Sequence, residues 1–422
     1  VSQSASGGAD AAAQSLAEGV ARRSYGKLVA LLAMRTRDVA AAEDALADAF
    51  AAALAAWPAR GCPANPEAWL MTVARRRAID GARHHRVGDE LANQLALLAD
   101  EIDEREAGAL PDRRLALLFA CTHPALDAAI RTPLMLQVVL GLEAKTIASA
   151  FLTSPAAMSK RLARAKNKIR EAGIPFGVPE REELPARLAA VLEAVYAAYA
   201  EGWTDPLGGD SGRRNLTGEA LYLAQLLVEL LPDEPETLGL LALMLYAHAR
   251  CDARRDAAGE YVPLSAQDAA TWNLPMIDAA NALLRRASAF DAIGRFQLEA
   301  ALQSAHVYRC LTHRPNWGEI VQLYDALLAI AASPVVAVNR ALALAERDGP
   351  QAALDALAPY ADDPRLADYQ PYWAARAELL ARAGATDEAL GAYDLAIGLE
   401  RDPAVRRFLQ RKRMALSSST LG

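Results

Sequence analysis

Between Glu143 and Gly173 the sequence reads EAKTIASAFLTSPAAMSKRLARAKNKIREAG, a stretch whose Lys and Arg spacing suits a polyanion. Ser154 followed by Pro155 reads as a helix start. The serine hydroxyl caps an orphan N–H, and proline lacks an N–H that would go unpaired in the first turn anyway. Along the helix that follows, Met158, Leu162, Ala165 and Ile169 recur at three- and four-residue steps and make an apolar stripe, while Ala156, Lys160, Ala163, Arg164 and Asn167 fall on the other side. Small residues let such a face approach a groove closely, and Lys and Arg reach phosphates or guanine edges. Ile147, Ala148 and Phe151 mark a shorter helix upstream, joined by a Leu152-Thr153 turn, so the spacing predicts a helix-turn-helix over 143–171. The candidate DNA contacts are Ser154, Ala156, Ala157, Ser159, Lys160, Arg161 and Arg164. A solvated helix whose cations only balance its own C-terminal dipole is the bland alternative. It does not account for the preceding helix, the turn and the cap together.

Two further helices carry residues of interest. In AAEDALADAFAAALAAW the pattern places Ala45, Leu46, Ala49, Phe50, Ala53, Leu54 and Trp57 on a buried stripe and leaves Asp44 and Asp48 outside as an i, i+4 acidic pair. In PEAWLMTVARRRAIDGARHHR, Leu70, Ala74, Ala78 and Gly81 share one face, and Trp69, Thr72, Arg76, Asp80 and Arg83 share the other. An aromatic interleaved with arginines fits a surface that stacks unpaired bases and neutralises phosphate. The same face equally fits a Trp69 packed on a neighbour with solvated arginines.

Enzymatic and metal chemistry find little to work with. No G-x-S-x-G, Walker, HExxH or GxGxxG signature is present, and no metal or cofactor is expected. Cys62, Cys121, Cys251 and Cys310 are far apart, without zinc or redox spacing, and read as free buried thiols. His123, two residues from Cys121, reads as a packed histidine. EGWTDPLGGD (201–210) reads as a structural turn, because its glycines lack the lysine and following helix of a phosphate loop.

The elements that must position these residues are helices. In 422 residues with an apolar fraction of 53%, Ala dominates and the cleanest periodicities are helical, so the expected fold class is all-α. No segment approaches the roughly 18 uninterrupted apolar residues of a membrane span, and the polar start VSQSASGGAD is unlike a signal peptide, which predicts a cytoplasmic protein without a membrane partner. Charge divides the chain. Residues 1–86 and 111–173 are net basic, 87–110 and 174–422 net acidic. Breakers in PARGCPANP (58–66) and GIPFGVP (173–179) punctuate it. Farther on, Trp373, Ala377, Leu380, Gly384, Ala389, Tyr393 and Ala396, with Pro403 after them, follow the spacing of a tetratricopeptide repeat, and Trp317 to Tyr360 is a looser version. Such pairs bury their apolar faces only on one another, which predicts a stack.

AAEDALADAF and NPEAWLMTVARRRAID, followed by KTIASAFLTSPAAMSKRLARAKNKIR, resemble bacterial sigma factors of the extracytoplasmic-function class. LALLFACTHPALD, AGIPFGVP, EGWTDPLGGD and LLPDEPETLGLLALMLYAHAR resemble the subgroup with a long tetratricopeptide-like C-terminal extension. The resemblance implies a region 2-like domain at 10–86, an acidic linker at 87–110, a region 4-like helix-turn-helix domain at 111–173 and a repeat extension at 180–415. It implies core RNA polymerase and promoter DNA as partners, with a regulatory protein or an intramolecular contact as the partner of the repeats. By position, Asp44, Asp48 and Phe50 would face the polymerase clamp, although the run after those acids is a plain ALADAF where the class is Glu-rich. Trp57, Asn65, Trp69, Arg75, Arg76, Asp80 and Arg83 would meet the −10 element, and the helix from Pro155 the −35 element. The acidic linker would either occupy the path of nascent RNA or serve as a solvated tether. Read from the residues alone, the chain also fits a one-component helix-turn-helix regulator whose repeats sense a ligand or peptide, or a repeat scaffold with a degenerate N-terminal half.

Overall fold

The computed structural model describes residues 2–84, 113–151, 153–180, 182–203 and 211–419; the expected linker 87–110 and, of the turn expected at 201–210, residues 204–210 lie outside them. Among the described residues the regular structure is helical, apart from one isolated antiparallel bridge between Arg255 and Tyr261. The chain is all-α and divides into two compact units, residues 1–220 and 221–422.

Unit 1 begins with α1 (Ser2–Thr36), α2 (Val39–Arg60) and α3 (Pro66–His84). Arg37 at φ 53° turns the chain, and Asp38 restarts it by accepting the N–H groups of Ala40 and Ala41 at 2.9 and 3.2 Å. The stripe expected on α2 is buried at Ala45, Leu46, Ala49, Ala53 and Trp57, whereas Leu54 is 48% exposed and Phe50 half-buried. Leu54 was expected inside. It lies at the margin of the stripe, and alanine neighbours leave too little bulk there to cover it. The break expected at Pro58 comes later, because losing a single i→i−4 bond is tolerated in the last turn and α2 runs on to Arg60.

Next come α4 (Arg114–Cys121), α5 (Ala128–Leu140), α6 (Ala144–Ala150), α7 (Pro155–Glu171) and α8 (Leu184–Trp203). Leu115 through Cys121 are all buried, so α4 is a core helix enclosed by α1, α5 and α8. Arg187 on α8 donates to the Phe119 carbonyl at 2.8 Å and lies over that residue's ring. Of the four cysteines expected to be buried, Cys121 is; Cys62 is exposed on the loop after α2, and Cys251 and Cys310 are intermediate. The absence of zinc or redox spacing says nothing of burial. His123 is partly buried and its Nδ1 accepts the Ala125 N–H at 3.1 Å.

The first three helices and the next five share a core. α1 crosses α5 so closely that a Cβ on Gly26 would stand 2.0 Å from the Val139 carbonyl oxygen. At the end of α5, Gly141 takes the left-handed conformation that ends helices, and the Tyr25 ring fills the space where its side chain would be.

α9 (Ser211–Leu230) runs through the division, and unit 2 continues with α10 (Pro235–His248), α11 (Leu274–Ser288) and α12 (Arg295–Thr312). Ten successive residues of α10, Thr237 to Tyr246, are buried. Glu236 accepts the first N–H groups of α12, from Phe296 at 3.0 Å and Gln297 at 3.1 Å, and so caps a helix distant in sequence. Then follow α13 (Trp317–Ile330), α14 (Pro334–Asp348), α15 (Pro350–Leu357), α16 (Pro364–Ala367), α17 (Gln370–Arg382), α18 (Thr386–Leu399) and α19 (Pro403–Ser419). α17 and α18 form the hairpin expected from the repeat spacing, with Ala377, Leu380, Ala389, Tyr393 and Ala396 buried between them and α19 closing the end. The second hairpin expected from the sequence is α13 with α14, joined to α15 through Gly349-Pro350.

Candidate nucleic-acid interface

The segment with the densest basic chemistry folds as α6, a tight turn and α7. The turn closes with the Phe151 N–H on the Ile147 carbonyl and the Thr153 N–H on the Ala148 carbonyl, both at 3.0 Å. Ser154 is extended (φ −75°, ψ 145°) and its Oγ accepts the Ala157 N–H at 3.2 Å, with Pro155 in the first turn. Met158, Leu162, Ala165 and Ile169 are buried against α5 and α6. This anchors one side of α7 and fixes what the other presents.

Ser154, Ala156, Ser159, Lys160, Ala163, Arg164 and Asn167 are exposed along that other side. Ala157 and Arg161 are partly buried, and Arg161 turns back toward α5, its Nη2 3.5 Å from the Ala129 carbonyl. Five of the seven candidates on this helix therefore lie on one open surface with Lys160 and Arg164 at its centre.

On the acidic helix, Asp44 and Asp48 are exposed one turn apart. Trp57 is only 2% exposed and meets Trp69 edge-on at 5.5 Å, so Trp69, half-buried, is the ring of the pair nearer solvent. Asn65 starts α3: its Oδ1 accepts the Ala68 N–H at 3.1 Å, a cap the sequence reading did not assign to it. Arg76 is exposed and Arg75 partly buried; the side chains of Asp80 and Arg83 lie outside the described residues. α3 is tied to α1 through Glu67, which accepts from Ser24 Oγ and pairs with Lys27 at 3.7 Å.

The structure brings together residues that sequence reasoning passed over. Glu43, beside Asp44 but a hundred degrees round α2, pairs with Lys166 of α7, with the two side chains 13% and 12% exposed. Tyr25 Oη donates to the same carboxylate at 3.4 Å. Burial raises the Glu43 carboxyl above its ordinary range even though Lys166 draws it down, and burial together with Glu43 pushes the Tyr25 phenol up. One turn beyond Lys166, Arg170 pairs with Asp38 at 3.0 Å and with Asn167 at 3.2 Å. The signal was present as a helix carrying unassigned cations beside a helix carrying an unassigned acid, but nothing local says that the two meet.

Among the described residues, no group of three or more His, Cys, Asp or Glu side chains could hold a metal ion, and no helix is long and apolar enough to cross a membrane. Residues 20–87 match the family model of sigma-70 region 2, so the helices bearing Asp44, Trp57, Trp69 and Arg76 form a sigma-70 region 2-like domain. Residues 187–288, which hold most of α8 and all of α9, α10 and α11, match a family of unknown function, DUF6596. A curated protein of Rhizobium meliloti (strain 1021), named as uncharacterized, is 39% identical over 383 residues, 89% of each chain. The chain belongs to the same family as that protein. No solved structure matches it.

Proposed function

We propose that the protein is a sigma factor of the extracytoplasmic-function class that binds core RNA polymerase and directs it to a two-element promoter. Residues 10–86 would engage the polymerase clamp and the −10 element, 87–110 would join the domains, and 111–173 would read the −35 element. Residues 180–415, a tetratricopeptide-like stack, would regulate or support that activity. The covalent chemistry belongs to the polymerase.

One observation carries the reading: a serine-capped helix with Ser154, Ala156, Ser159, Lys160 and Arg164 on its open side stands in the same compact unit as a sigma-70 region 2-like domain. A short, small-residue face with two cations positions a protein on DNA more than it supplies affinity, as expected of a factor whose binding is shared with polymerase. Asp44 and Asp48 are exposed for the clamp, and Arg76, exposed near the half-buried Trp69, would meet melted DNA.

Co-elution with purified core RNA polymerase in size-exclusion chromatography tests the reading. A one-component regulator would bind duplex DNA and elute apart from the polymerase; a sigma factor elutes with it.

A further inference from the structure

The cations that pin α7 to α2 flank the open face that carries Lys160 and Arg164. Lys166 and Arg170 sit one turn apart on the flank of α7, beside the open face that carries Ala163 and Asn167. A helix in a major groove uses such flanking cations on the phosphates to either side of the bases it reads. Here both are occupied by carboxylates of the other block, Lys166 by Glu43 and Arg170 by Asp38. A carboxylate offers a cation what a phosphate offers, a pair of anionic oxygens.

The contact also fixes a distance. Elements centred at −10 and −35 are about 25 base pairs apart, roughly 85 Å of duplex at ~3.4 Å per base pair. α2 and α7 touch in unit 1, so the two blocks cannot reach both elements while packed together. The chain has length enough to part them: the 28 residues 85–112 would span up to roughly 95 Å fully extended. Parting them breaks the two ion pairs, lifts Gly26 off Val139 and Tyr25 off Gly141, and uncovers the side of α4 that packs on α1.

We infer that Asp38 and Glu43 are internal phosphate mimics, which hold Lys166 and Arg170 against α2 and keep the two DNA-facing blocks closed until promoter DNA competes for the same cations. The inference rests on the reading of α7 as a DNA reader. A closed state lowers apparent affinity by the fraction of molecules that are open, so DNA binding is restrained without any separate inhibitor.

The test uses the full chain in three forms beside the wild type. Glu43→Lys sets like charges together, Glu43→Lys with Lys166→Glu restores an opposite pair, and Gly26→Ala forces α1 from α5 without touching a charge. Amide hydrogen exchange over 39–47 and 163–171 reads closure, and fluorescently labelled random-sequence duplex DNA reads binding. The expected result is faster exchange in both segments for Glu43→Lys and Gly26→Ala, with about tenfold tighter DNA binding by each, as for a closed state of about nine-tenths occupancy. The swapped pair, judged by exchange alone because it gives up a cation, returns to the wild-type pattern. Unchanged exchange in both opened forms, or faster exchange with unchanged DNA affinity, overturns the inference. If exchange reports opening yet no form binds DNA, the DNA-reading role of α7 falls and the competition with DNA falls with it; the exchange signal tells that failure apart from a clasp that never opened.

Discussion

The carbonyl oxygen of Val139 occupies the space of a side chain at residue 26: a Cβ there would approach it to 2.0 Å, and the glycine has none. This is where the N-terminal helix meets the core of the block that carries the basic helix. Gly→Ala inside a helix ordinarily stabilises by about 0.5–1 kcal/mol. At residue 26 the sign reverses, because backbone cannot retreat as a side chain can, and overpacking costs about 1–3 kcal/mol. Urea unfolding followed by tryptophan fluorescence should place Gly26→Ala below the wild type in midpoint; an equal or higher midpoint means the crossing is looser than described.

The open face of α7 should act in binding and not in folding. Lys160 and Arg164 are exposed, so Lys160→Ala and Arg164→Ala should each leave the melting transition within about 0.5 kcal/mol. Each should weaken DNA binding and lower the slope of log affinity against log salt by about 1 if its contact is to phosphate. A salt titration by fluorescence anisotropy measures both.

Asp44 and Asp48 have no packing role, since both are exposed on a helix anchored by Ala45, Leu46 and Ala49. Asp44→Lys with Asp48→Lys should preserve helicity by circular dichroism and reduce co-elution with core polymerase by tenfold or more, on the order of 1.4 kcal/mol. Undiminished co-elution would remove this pair from the polymerase contact.

Unit 2 carries a pH-dependent element. Burial, with Arg309 and Arg250 nearby, holds the His306 imidazole down to about 4, beside the Trp317 ring at 6.1 Å. Above pH ~6.5 the imidazole is neutral in both folded and unfolded chains; between ~6.5 and about 4 only the unfolded chain takes up the proton. Stability is therefore full above the unfolded value and falls with acid, by about 3 kcal/mol across the window. His306→Phe should flatten that part of the pH–stability curve in urea titrations; an unchanged slope would show the loss lies elsewhere.

Much of α7 was legible before folding, because each feature is local. Ser154 and Pro155 set its start, and the Met158, Leu162, Ala165, Ile169 stripe set its orientation, so the outward residues followed by helical phase. The α17–α18 hairpin was legible for the same reason: small residues at fixed spacing bury on the adjacent helix. Trp57 and Asn65 show where locality ends. Periodicity puts Trp57 on the buried stripe but does not reveal Trp69 lying across its ring, and Asn65, expected at the −10 element, uses its amide oxygen to cap α3. Leu54 shows that a stripe has margins. Glu43 with Lys166, 123 positions apart, could not be read at all, since each looks like a solvated charge until the crossing of α1 on α5 brings α2 and α7 together.

The central claim, a factor that gives core polymerase its promoter, is tested most directly by reconstituted transcription: purified core enzyme, the full chain and a pool of random promoter DNA, with transcripts sequenced. The account predicts transcripts only when the protein is present, from templates sharing two short upstream elements, and their loss with Lys160→Ala plus Arg164→Ala. Transcription no different from core polymerase alone would contradict it.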